Sequence, residues 1–342
     1  MKKYSVPGGT SPSAVLSTCS VMKFFAEWTA YTAVYGMVKL HSSEDKFIYL
    51  IFLYNVVCAS GMLLFGLVSD RVSRGKPGIM LGAALLGIGF ALPASFGVTV
   101  KTAFSALGIA ALNAFGASEI CRTEGSRGLS VFFGSGVLGY GVGRFNMFYG
   151  YVAVFAAVLC AALAPSDVKS TVTGQQCDNR KFIRKISFPV SLVGTAALAC
   201  AVESGNVFGR IYKRRDVLIA SVLFFAGTVA YYAVKKLVKN GVPDVILPPL
   251  AAAAFCCSAL LLGNGIVRTA AVMISLGFVL SAFLETAGKI SYRGIASAAL
   301  FASLYAGHSV LIFTGGGFLL FAVILFVASA AVAALSAGGR YV

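Results

Sequence analysis

Carboxylates are scarce in this chain: 12 Asp and Glu stand against 28 Lys and Arg, and the 342 residues hold two histidines and one tryptophan. Charged residues make up 12% of the sequence, about half the share an ordinary soluble domain carries. So few charges cannot solvate the surface of a globular protein of this length, and a soluble fold does not fit. The few acids and histidines are scattered along the chain and give no cluster for acid–base catalysis or metal binding. Neither an enzyme, a cofactor nor a metal site is expected. C-x-x-C spacing is also lacking: Cys19, Cys58, Cys121, Cys160, Cys177, Cys200, Cys256 and Cys257 fall almost entirely inside apolar runs. They read as small apolar packing residues.

Long apolar runs take the place of these missing features, with 58% hydrophobic residues and a mean hydropathy of +0.86. Twelve spans of about the 20 residues that a helix needs to cross the hydrocarbon layer can be placed. They run over 14–40, 47–69, 78–97, 99–119, 128–147, 149–165, 187–207, 216–235, 245–262, 265–285, 294–313 and 315–336. These spans and their turns use nearly the whole sequence, so no separate soluble domain is expected. Lys23 and Glu27 interrupt the first span and no small-residue cleavage site follows it, which reads as an uncleaved helix rather than a signal peptide.

The excess positive charge sorts to one side. Lys2 and Lys3, Arg71, Arg74 and Lys76, Arg122 and Arg127, Lys169 to Lys185, Lys235 to Lys239, Lys289 and Arg293, and Arg340 all fall on alternate loops. Because Lys and Arg are retained in the cytoplasm, both termini are expected there. The net charge of +16 is spread through these loops and is not gathered into a basic domain. Contact with anionic lipid headgroups therefore explains it, and no nucleic-acid partner is expected. One cluster, Arg210, Lys213, Arg214 and Arg215, breaks the alternation; it is either an outer basic rim or the solvated end of a longer seventh helix.

The chain also repeats itself at a separation of 166 or 167 residues. Lys101-Thr102-Ala103 matches Arg268-Thr269-Ala270, the segment ending at Glu119 matches the one ending at Glu285, Arg127-Gly128 matches Arg293-Gly294, and Gly75-Lys76-Pro77 matches Gly241-Val242-Pro243. Four matches within one residue of the same separation, between equivalent spans, indicate two related six-helix halves. The expected organisation is a bundle over 1–165, a cytoplasmic linker over 166–186 and a second bundle over 187–342.

Between the second and third spans lies a charged hairpin, Phe65-Gly66-Leu67-Val68-Ser69-Asp70-Arg71-Val72-Ser73-Arg74-Gly75-Lys76-Pro77. It resembles the signature loop of the major facilitator superfamily, G-x-x-[AS]-D-R-x-G-R-[RK]. Gly66, Ser69, Asp70, Arg71 and Arg74 stand at matching positions, Ser73 replaces a glycine, and Lys76 is displaced by one from a usual basic position. The resemblance implies an all-α integral membrane protein in which two six-helix bundles rock about a central site. In that scheme Gly66, Asp70, Arg71 and Arg74 form a cytoplasmic gate. The Asp70 carboxylate would pair with a neighbouring Arg or with a helix N-terminus of the other half, the nearest being at Arg293-Gly294. The second half carries Lys236 and Leu237 where the first has Asp70 and Arg71, so such a gate is asymmetric.

Glu27 lies deep in the first span, one turn after Lys23 and one before Tyr31. An ionisable group there costs about 2.5–3.5 kcal/mol on insertion scales, so it is paired or kept for function. Either an i, i+4 ion pair with Lys23 or a substrate and proton-coupling role fits. Tyr31 and Tyr35 continue the same face. Lys101, Arg144, Arg268 and His308 leave the remaining membrane-depth charge positive, which favours an anionic or zwitterionic solute, although snorkelling explains the first three equally well. His308 is either a proton carrier or a hydrogen-bonded packing residue. The glycine run Gly134 to Gly143 mimics a dinucleotide loop, but no strand precedes it; glycines at this spacing let helices approach closely.

The sequence is thus identified as a major facilitator member. The expected function is secondary active transport of a small solute by alternating access, with the proton as candidate coupling ion. Contacts are expected from Glu27, Tyr31, Tyr35, Asn55, Asn113, Tyr140, Arg144, Tyr305 and His308. An exporter or flippase of amphiphiles, and a non-transporting scaffold or sensor of the same fold, remain alternatives. A monomer in the bilayer is expected, and the short loops point to a prokaryotic cytoplasmic membrane.

Overall fold

The computed structural model of the chain describes residues 11–34, 43–72, 74–93, 96–146, 149–164, 181–204, 214–238, 242–261, 266–289, 293–314 and 318–341. Tyr35, most of the expected linker and the first two residues of the 210–215 basic cluster that carry charge, Arg210 and Lys213, lie outside the described residues.

Among the described residues the chain forms twelve α-helices. The first six are α1 (Pro12–Tyr31), α2 (Glu44–Arg71), α3 (Lys76–Ala91), α4 (Val98–Thr123), α5 (Gly128–Phe145) and α6 (Gly150–Leu163). The second six are α7 (Lys181–Ser204), α8 (Arg214–Leu237), α9 (Val242–Leu261), α10 (Ile266–Glu285), α11 (Arg293–Thr314) and α12 (Phe318–Tyr341). In hydrocarbon every backbone polar group must be satisfied within the protein, which a helix does locally. Many hydroxyls inside the helices follow the same rule: Thr102 Oγ1 donates to Val98 O at 2.7 Å and Ser281 Oγ to Gly277 O at 2.6 Å. Ser11 starts α1 by accepting from Ala14 N at 3.3 Å, with Pro12 following it. Gly97 (φ 94°) and Gly125 (φ 77°) supply the left-handed backbone where the chain turns into α4 and out of it.

Helices α1 to α6 pack among themselves through α3–α4, α1–α5, α2–α4 and α1–α6, and α7 to α12 through α7–α12, α8–α10, α9–α10 and α7–α11. Two seams join these sets, α2 along α11 and α5 along α8, with α4 also reaching α11. The outward faces are apolar. On α6, Tyr151, Phe155, Leu159 and Leu163 form an exposed stripe at a spacing of four, while Ala153, Ala157 and Ala161 on the opposite face are buried. Small residues turned inward and large apolar ones outward are the arrangement a lipid-facing helix requires.

Four described stretches are long and apolar enough to cross a membrane: Ile48–Arg71, Val98–Thr123, Arg215–Leu237 and Ile266–Gly288. Five shorter apolar helices accompany them, including Lys76–Ala91 and Gly150–Leu163.

Candidate functional site: a central cavity and the hairpin seam

A cavity of about 360 Å³ lies where the two sets of helices face each other. Its polar lining consists of Lys23 and Glu27 from α1, Asn55 from α2, Tyr140 from α5 and Tyr305 from α11. Phe133 and Val137 of α5, Leu198 of α7, Phe224 of α8, Leu276 and Leu280 of α10 and Leu304 of α11 supply the apolar wall. Lys23 Nζ donates to Glu27 Oε1 across one helical turn, the pairing that their spacing allows. Lys23 is 3% exposed and Glu27 15%, so the carboxylate is the more open of the two.

The glycines of α5 make room for this arrangement. Methyl groups at Gly136, Gly139 and Gly143 would collide with Lys23, the Phe24 carbonyl and Trp28 of α1. Gly134 and Gly141 face the other way, against Thr228 and Ser221 of α8. One helix therefore lies close to two neighbours, one in each set, and brings Tyr140 to the cavity.

Of the residues expected to contact a solute, Glu27, Asn55, Tyr140 and Tyr305 line the cavity together. Tyr31 stands behind it, edge-on to the Tyr140 ring at 5.0 Å. Asn113 is buried in α4 and Arg144 half-buried in the last turn of α5, and neither belongs to the lining. His308 lies in α11, but its side chain is outside the described residues, as is Tyr35. Asn55 is 6% exposed, and its Nδ2 has no hydrogen-bond partner among the described residues. An amide donor left open in a buried cavity is costly unless a solute or water takes it.

At the hairpin end the two sets touch. Asp70 Oδ1 accepts from Gly294 N at 2.7 Å and Oδ2 from Ile295 N at 2.9 Å, so one carboxylate caps the N-terminus of α11. The contact is charge-assisted and lies on the positive end of the helix dipole. Gly66 permits it, because a methyl there would sit 2.7 Å from Ala298 Cβ and 3.0 Å from Ile295 Cα. Arg293 crosses in the other direction, donating to Cys121 O of α4 at 3.2 Å. Arg71 and Arg74 are exposed on the hairpin surface.

No protein-family model and no curated protein matches the sequence. Among solved structures, the chain superposes on the E. coli fucose:proton symporter FucP with a TM-score of 0.67 at 13% identity, over 96% of this chain and 98% of that one. The chain has the fold of that symporter. It is an integral membrane protein of that architecture.

Within this fold several charged residues prove to be structural. Lys101, 2% exposed, donates from Nζ to Phe90 O at 2.7 Å and Leu92 O at 2.9 Å, closing the C-terminal end of α3. Its repeat partner Arg268 donates to Ala259 O near the end of α9 at 2.8 Å. The duplicated Lys-Thr-Ala and Arg-Thr-Ala segments therefore do the same work twice, satisfying carbonyls that a helix end leaves open. Neither cation lines the cavity, which corrects the expectation that they give it positive charge.

Two further residues support the hairpin: Glu119, which the sequence places near the cytoplasmic end with the gate, and Arg122, which it counts only among the loop cations. Arg122 donates to Ser69 O at 2.6 Å and Val72 O at 2.7 Å, and pairs with Glu119 at 3.1 Å. Glu119 in turn accepts from Gly75 N at 2.5 Å. Together they fix the hairpin that carries Asp70, and the i, i+3 spacing of Glu119 and Arg122 was the available signal. In the second half Glu285 is held by Lys235 at 3.1 Å and by the Tyr231 hydroxyl at 2.5 Å.

Proposed function

We propose that the protein is a secondary active transporter that moves a small solute by alternating access. The observation that supports this most is the pairing of a cavity that holds an ion pair and an open amide, between two helix sets, with a capped, glycine-close seam at one end of them. In this reading all twelve helices cross the membrane. Residues 1–165 and 187–342 are the moving bundles and 166–186 the cytoplasmic linker, with both termini in the cytoplasm and a monomer as the working unit. The hairpin end is then the cytoplasmic end, and Asp70, Gly66 and Arg293 hold it closed. Making and breaking the Asp70 cap biases which side is open.

Glu27 is the carboxylate of the cavity lining, so a coupling proton would be taken there. A scaffold of the same fold would have its central charges paired and no polar cavity. Here Lys23 and Glu27 are paired, yet the cavity persists and Asn55 keeps an open donor. With Lys101 and Arg268 committed to helix ends, the case for an anionic solute loses two of its cations.

The test is uptake into proteoliposomes across a panel of sugars, amino acids, organic anions and lipophilic cations, with and without a proton gradient. At least one class is expected to accumulate, and Glu27→Gln to abolish gradient-driven accumulation while the protein stays folded in detergent. Gradient-driven uptake by Glu27→Gln at the wild-type rate removes Glu27 from coupling. No flux of any class removes the transport reading.

A further inference from the structure

The charge carried by the described lining residues of the central cavity sums to zero. Lys23 is its cation and Glu27 its carboxylate among the described lining residues, and the remaining wall is largely aliphatic and aromatic. A solute with net charge would leave one charge uncompensated in a poorly solvated space, which costs several kcal/mol. A wholly apolar solute would leave the ion pair and the Asn55 donor unused.

The pair also has capacity to spare. An ammonium group has three donors and a carboxylate about four acceptor sites, and their mutual hydrogen bond uses one of each. Both groups reach the cavity, Glu27 the more openly, while Gly136 leaves the space in which the Lys23 stem lies: a methyl there would be 2.6 Å from Lys23 Cε. The Asn55 amide, buried and unpartnered at Nδ2, adds a neutral donor from α2. Tyr140 and Tyr305 bring aromatic rings, to which a cation is attracted, and Phe133 and Phe224 bring rings that suit an apolar body. The volume of about 360 Å³ lies at the small end of ligand pockets.

We infer that the cavity selects a small zwitterion of the amino-acid kind with an apolar or aromatic side group. Its ammonium group meets Glu27 and the tyrosine rings, and its carboxylate meets Lys23 and Asn55 Nδ2. The solute inserts into the Lys23–Glu27 pair, so each charge exchanges one partner for another and the cavity stays neutral. This deepens the transport reading and rests on the same cavity being the solute site.

The test compares phenylalanine and leucine with their methyl esters (cations), their N-acetyl derivatives (anions) and their N-acetyl methyl esters (neutral). Thermal stabilisation of the full chain in detergent and uptake into proteoliposomes are both read. The free amino acids are expected to bind at least about tenfold more tightly than any derivative with the same side chain, as expected when a derivative leaves one buried charge unmatched. Glu27→Gln should turn the preference toward the N-acetyl compound, and Lys23→Gln toward the ester. Equal stabilisation by a derivative, or none by either free amino acid, overturns the inference; the wild-type comparison decides this even if a variant fails to fold. Zwitterion binding without flux would leave this site standing and remove the transport reading. Flux of another solute class without zwitterion binding would do the reverse.

Discussion

The α2–α11 seam and the α5–α8 seam join the same two sets of helices through segments related by the internal repeat, yet they close in different ways. At the hairpin end of α2–α11, backbone meets backbone: Gly66 faces Gly294 and Ile295, and the Asp70 carboxylate takes both of their amides. At the matching end of α5–α8, Tyr232 stands at the place of Gly66 and Lys236 at the place of Asp70. The halves there are bridged by long side chains, Tyr232 to Glu124 at 3.3 Å and Arg127 to Lys235 O at 3.4 Å. The close approach of α5 to α8 lies in mid-helix instead, at Gly134 and Gly141, with Phe133 against Phe224. One seam thus has its tight, charged contact at its end, where it can open. The other is tight at its centre and loosely tied at its end. On the transport reading proposed above, this difference gives α2–α11 the part of latch and α5–α8 that of pivot.

The largest effect on this division is expected from Gly66→Leu. A single methyl at this position already meets Ala298 Cβ at 2.7 Å, and overpacking a close contact costs about 1–3 kcal/mol. The hairpin end should be forced apart. Spin labels on the exposed Leu67 and Leu237, in a background without the exposed Cys257, should then report a longer distance than in wild type. An unchanged distance would show that α2–α11 is not the latch.

Asp70→Asn comes next. The amide keeps one acceptor but loses the charge and the second hydrogen bond to the α11 N-terminus. The loss is about 1.5–3 kcal/mol for a charge-assisted contact, less what water restores at a half-exposed site. Turnover should fall by roughly tenfold with solute affinity little changed, because the change acts on the equilibrium between closed and open and not on the cavity. Wild-type turnover would reduce the cap to a surface contact.

Much of this was legible in the sequence, and its limits have physical causes. Twelve apolar runs became twelve α-helices among the described residues, of which four stretches have the length and hydropathy that a membrane crossing imposes. The Lys23–Glu27 pair followed from i, i+4 spacing, and the asymmetry between Asp70 and Lys236 from the repeat. Lys101 and Arg268 were harder to place. A cation at membrane depth can snorkel, line a cavity or close a neighbouring helix, and only the position of the end of α3 or α9 decides among these. The repeat held a clue, since both open a helix 9–11 residues after the carbonyls they satisfy. Asn113 illustrates the converse. A polar residue in mid-span was expected at the cavity, but the face it occupies on α4 is buried against neighbouring helices, and no period in so uniformly apolar a span identifies that face.

The smallest effect, and the one that most sharpens the contrast, is expected from Tyr232→Phe. The hydroxyl at the place of Gly66 makes a long, neutral-to-charged contact of 3.3 Å with Glu124 Oε2, and the ring carries Lys236 Nζ at 5.7 Å from its centre. Phenylalanine keeps the ring and therefore the cation contact, and removes only the hydrogen bond. At so long a distance, in a partly exposed place, the loss is about 0.5 kcal/mol or less. Turnover should stay within about twofold of wild type, and the Leu67–Leu237 distance should not change. If Tyr232→Phe slows turnover as much as Asp70→Asn does, the end of α5–α8 is a second latch, and the pivot must be sought in the glycine contacts at Gly134 and Gly141. If it does not, the repeat has kept the geometry of both seams while confining the switchable charge to one.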